Sequence, residues 1–230
     1  MEELPRRCHR EVLEQVLEFA GARVADIGCG DGALVRLMTR LGARATGIEP
    51  SEGQLGRARA AEPAGDEDYL QGVAEDLPLP DASLDIALFF NALHHVPVAH
   101  QGAALAEAAR ALKPGGRLCV VEPIAAGQRF EVTRRIDDET EVRAKAYAAL
   151  VAAARGPDWN AEREYAYLTE TRDKSFEAFR DRIIAVDETR RRKVEAEEAN
   201  LRAAFEATAS KRDGYFILEQ PARLNLLRRR

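Results

Sequence analysis

The segment that most constrains the fold joins a short apolar strand directly to a glycine-rich loop. Residues 23–27 read Arg-Val-Ala-Asp-Ile, and Gly28, Gly30 and Gly32 follow at every second position. Glycine at this spacing leaves the backbone bare for a tight turn or for the close approach of a ligand. Leucines at helical spacing then run to Gly42. The pattern predicts a strand, a glycine loop and a helix in direct succession.

The same alternation continues through the first half of the chain. Further strands are predicted at 44–48, 69–73, 84–90 and 117–122, with helices between them and Ser51 as an N-cap. The third of these segments is a near-continuous apolar run, which is typical of a strand that is covered on both faces. We therefore predict an α/β fold with a doubly wound, mostly parallel seven-stranded sheet.

The second half of the chain has a different pattern. Charged helices are predicted over 131–154 and 175–210, a strand over 163–171, and a final strand within 214–227. Most aromatic residues lie here, and they could line a ligand pocket or fill a core under the added helices. A chain of 230 residues suits one sizeable core.

We predict that residues 1–230 form one domain with three parts. These parts are a ligand-binding core over 1–123, helical insertions that form a lid over 124–212, and a last strand with a tail over 213–230.

Composition excludes several classes of protein. Lys and Arg number 34 against 39 Asp and Glu, so the net charge of −5 provides no global field to attract nucleic acid. The three cysteines, Cys8, Cys29 and Cys119, show no metal-ligand or disulfide spacing. No apolar run approaches the ~20 residues of a membrane helix, and no signal peptide is recognised. We expect a cytoplasmic protein with no metal and no membrane partner, either a monomer or a homodimer.

Asp26 indicates what the glycine loop could bind. It lies at the carboxyl end of a buried strand, where a carboxylate needs a partner to offset its desolvation, and a cationic ligand group would serve. The loop from Gly28 to Ala33, with Glu49 about 20 residues further on, also satisfies a nicotinamide dinucleotide fingerprint. Asp26 and Asp31 would repel a pyrophosphate. A nicotinamide-dependent oxidoreductase therefore remains the less favoured alternative.

Four motifs, in this order, resemble those of class I S-adenosylmethionine-dependent methyltransferases, in the small-molecule (type 11-like) branch. They are VADIGCGDGAL, GIEPS, AEDLPLPDASLDIALFFNALHHV and LKPGGRLCVVEP, and they cover about residues 22–123. The resemblance implies a Rossmann-like methyltransferase fold, S-adenosylmethionine as cofactor, and methyl transfer to a small organic acceptor by in-line displacement. A non-catalytic S-adenosylmethionine-binding protein or partner subunit is the main alternative.

The resemblance also implies which residues bind the cofactor. Asp26, Gly28 and Gly30 would meet its aminocarboxypropyl end, and Glu49 would accept hydrogen bonds from both ribose hydroxyls. The complete predicted set is Asp26, Gly28, Cys29, Gly30, Glu49, Pro50, Ala74, Glu75, Asp76, Leu77 and Asn91.

The adenine end departs from the family pattern. An aspartate that often reads the adenine amino group is replaced by Val73. Either Glu75 or Asp76 substitutes for it, or backbone groups around Ala74 and apolar packing from Leu77 hold the ring. We favour the backbone together with Glu75.

The candidate catalytic residues follow the fourth strand. They are Asn91, His94 and His95, and an imidazole there could act as a general base or as an orienting group. The alternative is a packing role for the His-His pair at the start of a helix. Methyl transfer depends mostly on alignment and desolvation, so a base is optional. We expect the histidine pair to position groups rather than to transfer a proton.

Overall fold

The computed structural model describes residues 4–186 and 188–230. Internal packing divides the chain into two compact units. The core unit comprises Arg10–Glu122, Val142–Tyr165 and Arg223–Arg230, and the helical unit comprises the chain up to His9 together with 123–141 and 166–222. The single-domain organisation and the lid over 124–212 stay predictions.

Strands of the described residues form a sheet in the order β3-β2-β1-β4-β5-β8-β6, with the short β7 antiparallel to β8. The strands are β1 (Arg23–Ile27), β2 (Arg44–Glu49), β3 (Asp68–Gln71), β4 (Leu84–Phe90), β5 (Leu112–Pro123), β6 (Trp159–Asp173), β7 (Ser210–Arg212) and β8 (Tyr215–Arg229). This order, with helices between the strands, confirms the predicted doubly wound α/β fold.

The α-helices of the described residues follow the predicted rhythm in the first half and add a helical group in the second. They are α1 (His9–Val16), α2 (Ala33–Arg40), α3 (Glu52–Ala60), α4 (Gln101–Ala111), α5 (Gly127–Thr133), α6 (Thr140–Ala154), α7 (Phe176–Val186), α8 (Arg191–Ala196) and α9 (Glu198–Thr208). Among these residues, no helix combines the length and apolar character that crossing a membrane requires.

Parallel pairing of the inner strands places the candidate site. Strand β1 pairs in parallel with β2 and β4, β2 with β3, and β4 with β5. The carboxyl ends of these strands therefore lie along one edge of the sheet, where open α/β sheets bind ligands. Asp26, Glu49, Asn91 and Glu122 all lie at or just beyond those strand ends.

The two units have separate apolar cores. In the core unit, β1, β4, β5 and α4 bury a continuous cluster that includes Trp159 of β6. In the helical unit, the rings of Phe179 and Phe205 stack with their centroids 4.7 Å apart, and Phe176 packs edge-on against Phe205. These aromatic residues fill cores, as one of the two predicted roles requires.

Several predicted boundaries were wrong, and two of them have a clear physical reason. The helix predicted over 131–154 is two helices, because Asp138 Oδ1 accepts a hydrogen bond from the backbone N–H of Thr140 (3.1 Å) at the start of α6. Strand β5 begins at Leu112, before the predicted turn, because residues on both sides of the turn pair with β4: Leu112 with Leu84, and Arg117 with Ile86. Gly115 keeps the positive φ of 78° that a type II turn needs.

Candidate functional site

The glycine loop after β1 has the left-handed backbone that its sequence predicts. Gly28, Gly30 and Gly32 have φ values of 77°, 55° and 75°. A Cβ atom on Gly28 would lie 2.7 Å from the Cβ of Ala92, whereas one on Gly30 would meet no atom within 4 Å. Gly28 is therefore needed for packing, and Gly30 leaves open space that a ligand could enter.

Asp26 lies beside this loop as a buried carboxylate without a cation. Its side chain is 2% exposed, and Oδ1 has no hydrogen-bond partner. Burial, followed by the negative charge of Glu49, raises the pKa of Asp26 to about 7. Among the residues that the structure describes, no Lys or Arg pairs with Asp26. A positively charged ligand group would offset this cost.

Glu49 connects the glycine loop to the start of α3. Its Oε2 accepts a hydrogen bond from the backbone N–H of Gly30 (3.0 Å), and its Oε1 accepts one from Ser51 (3.0 Å). Ser51 is the predicted N-cap and accepts a bond from the N–H of Gln54. Each carboxylate oxygen can accept a second bond, so capacity for two ribose hydroxyls remains. The ribose role of Glu49 stays a prediction.

The neighbouring predicted residues differ in burial. Cys29 is buried, and burial followed by the charges of Asp26 and Glu49 raises the pKa of its thiol, so the thiol is neutral at physiological pH. Pro50 is exposed at the end of β2. Neither side chain offers a charge to a ligand.

The loop predicted to hold adenine is a tight turn. Asp76 donates its backbone N–H to the carbonyl of Val73 (3.3 Å), and Ala74 and Glu75 occupy the turn between them. The Glu75 carboxylate pairs with His100 Nδ1 at 2.8 Å, which lowers the pKa of Glu75. Glu75 thus has a protein partner, and its role toward adenine stays a prediction.

Leu77, whose packing against adenine stays a prediction, lies in the core unit. Its side chain is buried in the core, its backbone N–H donates to Glu107 (3.0 Å), and its carbonyl accepts a bond from Arg110 (3.1 Å). The backbone and side chain of Leu77 are therefore already engaged within the core unit. Val73, by contrast, is 41% exposed.

The segment after β4 contains the three candidate catalytic residues. Asn91 has a φ of 53°, which is uncommon outside glycine, and its side chain is exposed. A single turn of 3-10 helix follows over Leu93–His95, with His94 buried and His95 exposed. The two imidazole rings lie 4.0 Å apart at an angle of 40°.

Sequence reasoning missed Glu122, which binds this segment. Glu122 Oε2 contacts His94 Nδ1, and Oε1 accepts hydrogen bonds from the backbone N–H groups of Ala92 (3.1 Å) and Leu93 (2.8 Å). The acidic residue that ends the apolar strand in VVEP was the signal available in the sequence.

Direct contacts bring part of the predicted set together. Gly30 bonds to Glu49, the charge of Glu49 acts on Asp26, and Gly28 packs at Ala92 beside Asn91. A groove of about 380 Å³ lies elsewhere in the core unit, between α6, β6 and the end of β8. None of the predicted site residues lines that groove.

The fold and the site define a ligand-binding α/β sheet whose buried carboxylate suits a cationic ligand. Residues 25–120 match the family described as a methyltransferase domain. This match confirms the resemblance to methyltransferases that the sequence motifs indicate for this stretch.

Two relatives and one structure illustrate the match. The 27-O-demethylrifamycin SV methyltransferase of Amycolatopsis mediterranei is 40% identical over 106 residues, covering 44% of this chain and 38% of the relative. A ubiquinone biosynthesis O-methyltransferase of Maricaulis maris is 41% identical over 101 residues, covering 43% and 39%. The structure of an S-adenosylmethionine-dependent methyltransferase from Mesorhizobium loti shares the fold, with a TM-score of 0.53, 21% identity and coverage of 92% and 96%. The chain thus spans less than half the length of both curated relatives.

Proposed function

We propose that this protein transfers a methyl group from S-adenosylmethionine to a small organic acceptor. The observation that carries the proposal is Asp26, a buried carboxylate with an unpartnered oxygen beside an open glycine backbone. S-Adenosylmethionine has an α-ammonium and a sulfonium, so it supplies the positive charge that this site lacks. The names of the two relatives support a small hydroxyl-bearing acceptor.

The residues present fit the cofactor. Asp26 would hold the ammonium group, the backbone at Gly30 would allow close approach, and Glu49 would accept bonds from the ribose hydroxyls through its remaining lone pairs. Val73 and the turn that follows would contact adenine through backbone groups and apolar surface. Glu75 already pairs with His100, which favours the backbone over that side chain.

Positioning is the main task we assign to the chain. When bound, S-adenosylmethionine supplies a methyl carbon that its sulfonium already activates. Asn91 and the segment behind it would orient an acceptor for in-line attack and exclude water. His94 is buried and bound to Glu122, which supports an orienting role over proton transfer. The lid over 124–212 and a cytoplasmic location remain parts of the proposal.

A comparison of ligands tests this function. S-Adenosylmethionine and S-adenosylhomocysteine should each raise the melting temperature, because a ligand that binds only the folded state adds about 2.7 kcal/mol of stability at one hundred times its Kd. NAD and NADP should not. A shift with NAD alone would replace the methyltransferase proposal with an oxidoreductase.

Turnover separates an enzyme from a protein that only binds the cofactor. Incubation of the protein and S-adenosylmethionine with a panel of small phenols and alcohols should yield S-adenosylhomocysteine and a methylated product by mass spectrometry. Binding of S-adenosylmethionine without turnover across acceptor classes would favour the non-catalytic alternative.

A further inference from the structure

Glu122 holds the post-β4 segment, which we define as residues 91–96. One carboxylate oxygen accepts the backbone N–H groups of Ala92 and Leu93, and the other contacts His94 Nδ1. The Glu122 side chain is 16% exposed, and no Lys or Arg forms an ion pair with it within the described part of the chain. Its charge is therefore offset by two amides and one imidazole, all from a single short segment.

The conformation of this segment needs such a support. Asn91 is held at a φ of 53°, where a residue with a side chain is strained, and its N–H donates to the carbonyl of Val121 at 2.8 Å. Gln101 gives a second anchor, because its Nε2 donates to the carbonyls of Leu93 (3.4 Å) and Val96 (3.2 Å).

The post-β4 segment also touches the glycine loop. A Cβ on Gly28 would lie 2.7 Å from the Cβ of Ala92, so these two segments of the chain lie too close for any residue larger than glycine at position 28. Glu122 accepts a hydrogen bond from the amide of Ala92. Because Ala92 packs against Gly28, a shift of Ala92 would displace the glycine loop. The contacts form a continuous path from the end of β5 to the loop that follows β1.

We propose that Glu122 is a positioning residue that seats Ala92 against Gly28 and fixes the ring of His94, and so shapes both the cofactor loop and the acceptor side. The cofactor part of this inference rests on the proposed function. A carboxylate only accepts hydrogen bonds, so His94 must carry its proton on Nδ1. The burial of His94 and the sharing of the Glu122 charge with two amides favour positioning over a proton-transfer pair.

Four variants test the proposal, with Asp85 as a matched control. Asp85 accepts a backbone N–H from Arg23 (2.9 Å) and pairs with Lys113, but it lies at the other end of β4. By calorimetry, Glu122→Ala should bind S-adenosylmethionine about 5–50-fold more weakly, because the support of Ala92 is lost. Glu122→Gln should stay within about threefold, because its amide oxygen can still accept both N–H groups. Asp85→Ala and Asp85→Asn should stay within about twofold.

The tautomer of His94 provides a readout that needs no cofactor. The side-chain amide of Glu122→Gln would donate to His94 Nδ1, so the ring proton should move from Nδ1 to Nε2. A long-range proton–nitrogen spectrum of the histidine rings reports this change. If the wild-type protein binds no S-adenosylmethionine, the proposed function fails, and the tautomer then decides on Glu122 independently.

Three results would overturn the positioning role. The first is a folded Glu122→Ala protein that binds S-adenosylmethionine within twofold of wild type. The second is a His94 tautomer in Glu122→Gln that is the same as in wild type, and the third is a loss of more than a hundredfold in methyl transfer by Glu122→Gln at unchanged cofactor affinity. The last would assign the pair to proton transfer. If Glu122→Ala does not melt cooperatively, Glu122→Asp replaces it, and wild-type affinity in that shorter variant would equally refute the proposal.

Discussion

Two buried aspartates, one in each unit, have opposite surroundings. Asp26 near the end of β1 and Asp173 at the end of β6 are 2% and 5% exposed. Arg182 donates to Asp173 Oδ2 at 2.6 Å. Burial raises the pKa of both carboxyls, but at Asp173 the positive charges of Arg182 and Arg129 oppose that rise, whereas at Asp26 the charge of Glu49 adds to it.

The difference shows which carboxylate serves folding. A protein that must bury a carboxylate for structure can pair it with arginine, as the helical unit does at Asp173. At Asp26 an oxygen is left without a partner, and the charge of Glu49 repels the ionised carboxylate. Such a violation of local rules is expected at functional sites, where a ligand completes what the chain leaves open.

Removing the Asp26 charge should have the largest effect on cofactor binding. Asp26→Asn keeps the shape of the side chain but loses the charge that would face the ammonium group. We expect the free energy of S-adenosylmethionine binding to weaken by about 2–3 kcal/mol, or roughly 30–150-fold in Kd by calorimetry. Asp173→Asn is the matched control and should leave Kd within about twofold. Equal losses in both variants would remove the distinction between the two aspartates.

Proton competition at Asp26 should make cofactor binding depend on pH. The pKa of about 7 means that the ligand-free carboxyl is mostly protonated at pH 5.5 and mostly ionised at pH 7.5. If binding needs the ionised form, affinity for S-adenosylmethionine should rise about 20–30-fold over this range and level off above pH 7. Asp26→Asn should show no such rise. A flat wild-type profile would place the ammonium group elsewhere.

The raised pKa of Asp26 should make the stability of the ligand-free protein depend on pH. The pKa of Asp26 is higher in the folded chain than in the unfolded chain, so the native state binds more protons between about pH 4 and pH 7. The free energy of unfolding of the ligand-free protein should therefore fall as pH rises through that window.

At pH 8, Asp26→Asn should raise the free energy of unfolding by about 1–2 kcal/mol, because an unpaired buried charge is removed. Asp173→Asn should lower it by about 1 kcal/mol, because Arg182 loses its charged partner and keeps only a neutral amide oxygen as acceptor. Urea unfolding of both variants measures this. An Asp26→Asn protein that is less stable than wild type at pH 8 would contradict the view that the buried Asp26 charge destabilises the fold.

Local pattern was enough to predict the inner strands. Strands β1 and β4 have the predicted boundaries, because each is an apolar run bounded by turn-forming residues. The division of 131–154 into two helices was not predicted, since both parts read as helical and only the bond from Thr140 to Asp138 marks the break.

Site residues could be predicted from the sequence where a local motif at the end of a strand contains them. Asp26, Gly30 and Glu49 lie where the motifs indicate, and Glu49 does contact the glycine loop. Glu122 was missed because its partners lie in the segment that follows another strand, and only the pairing of β4 with β5 brings them together. The pairing of Glu75 with His100 likewise joins residues that no local pattern connects.

The smallest effect is expected at Val73, which stands where the family often has an aspartate. Its side chain is 41% exposed and Glu75 is occupied by His100, so we infer that adenine is held mainly by backbone groups. Val73→Asp should then leave affinity for S-adenosylmethionine unchanged or improve it, by no more than about threefold, because a solvated carboxylate adds little net hydrogen-bond energy. Val98→Asp is a matched control. Val98 is 45% exposed in the short 3-10 helix Val98–His100, and we assign its side chain no role in binding. A folded Val73→Asp protein with affinity reduced more than tenfold, beside a normal Val98→Asp, would mean that Val73 packs against the adenine ring. Asp26 and Val73 would then both depend on the ligand, Asp26 for a positive charge and Val73 for an apolar surface that covers it.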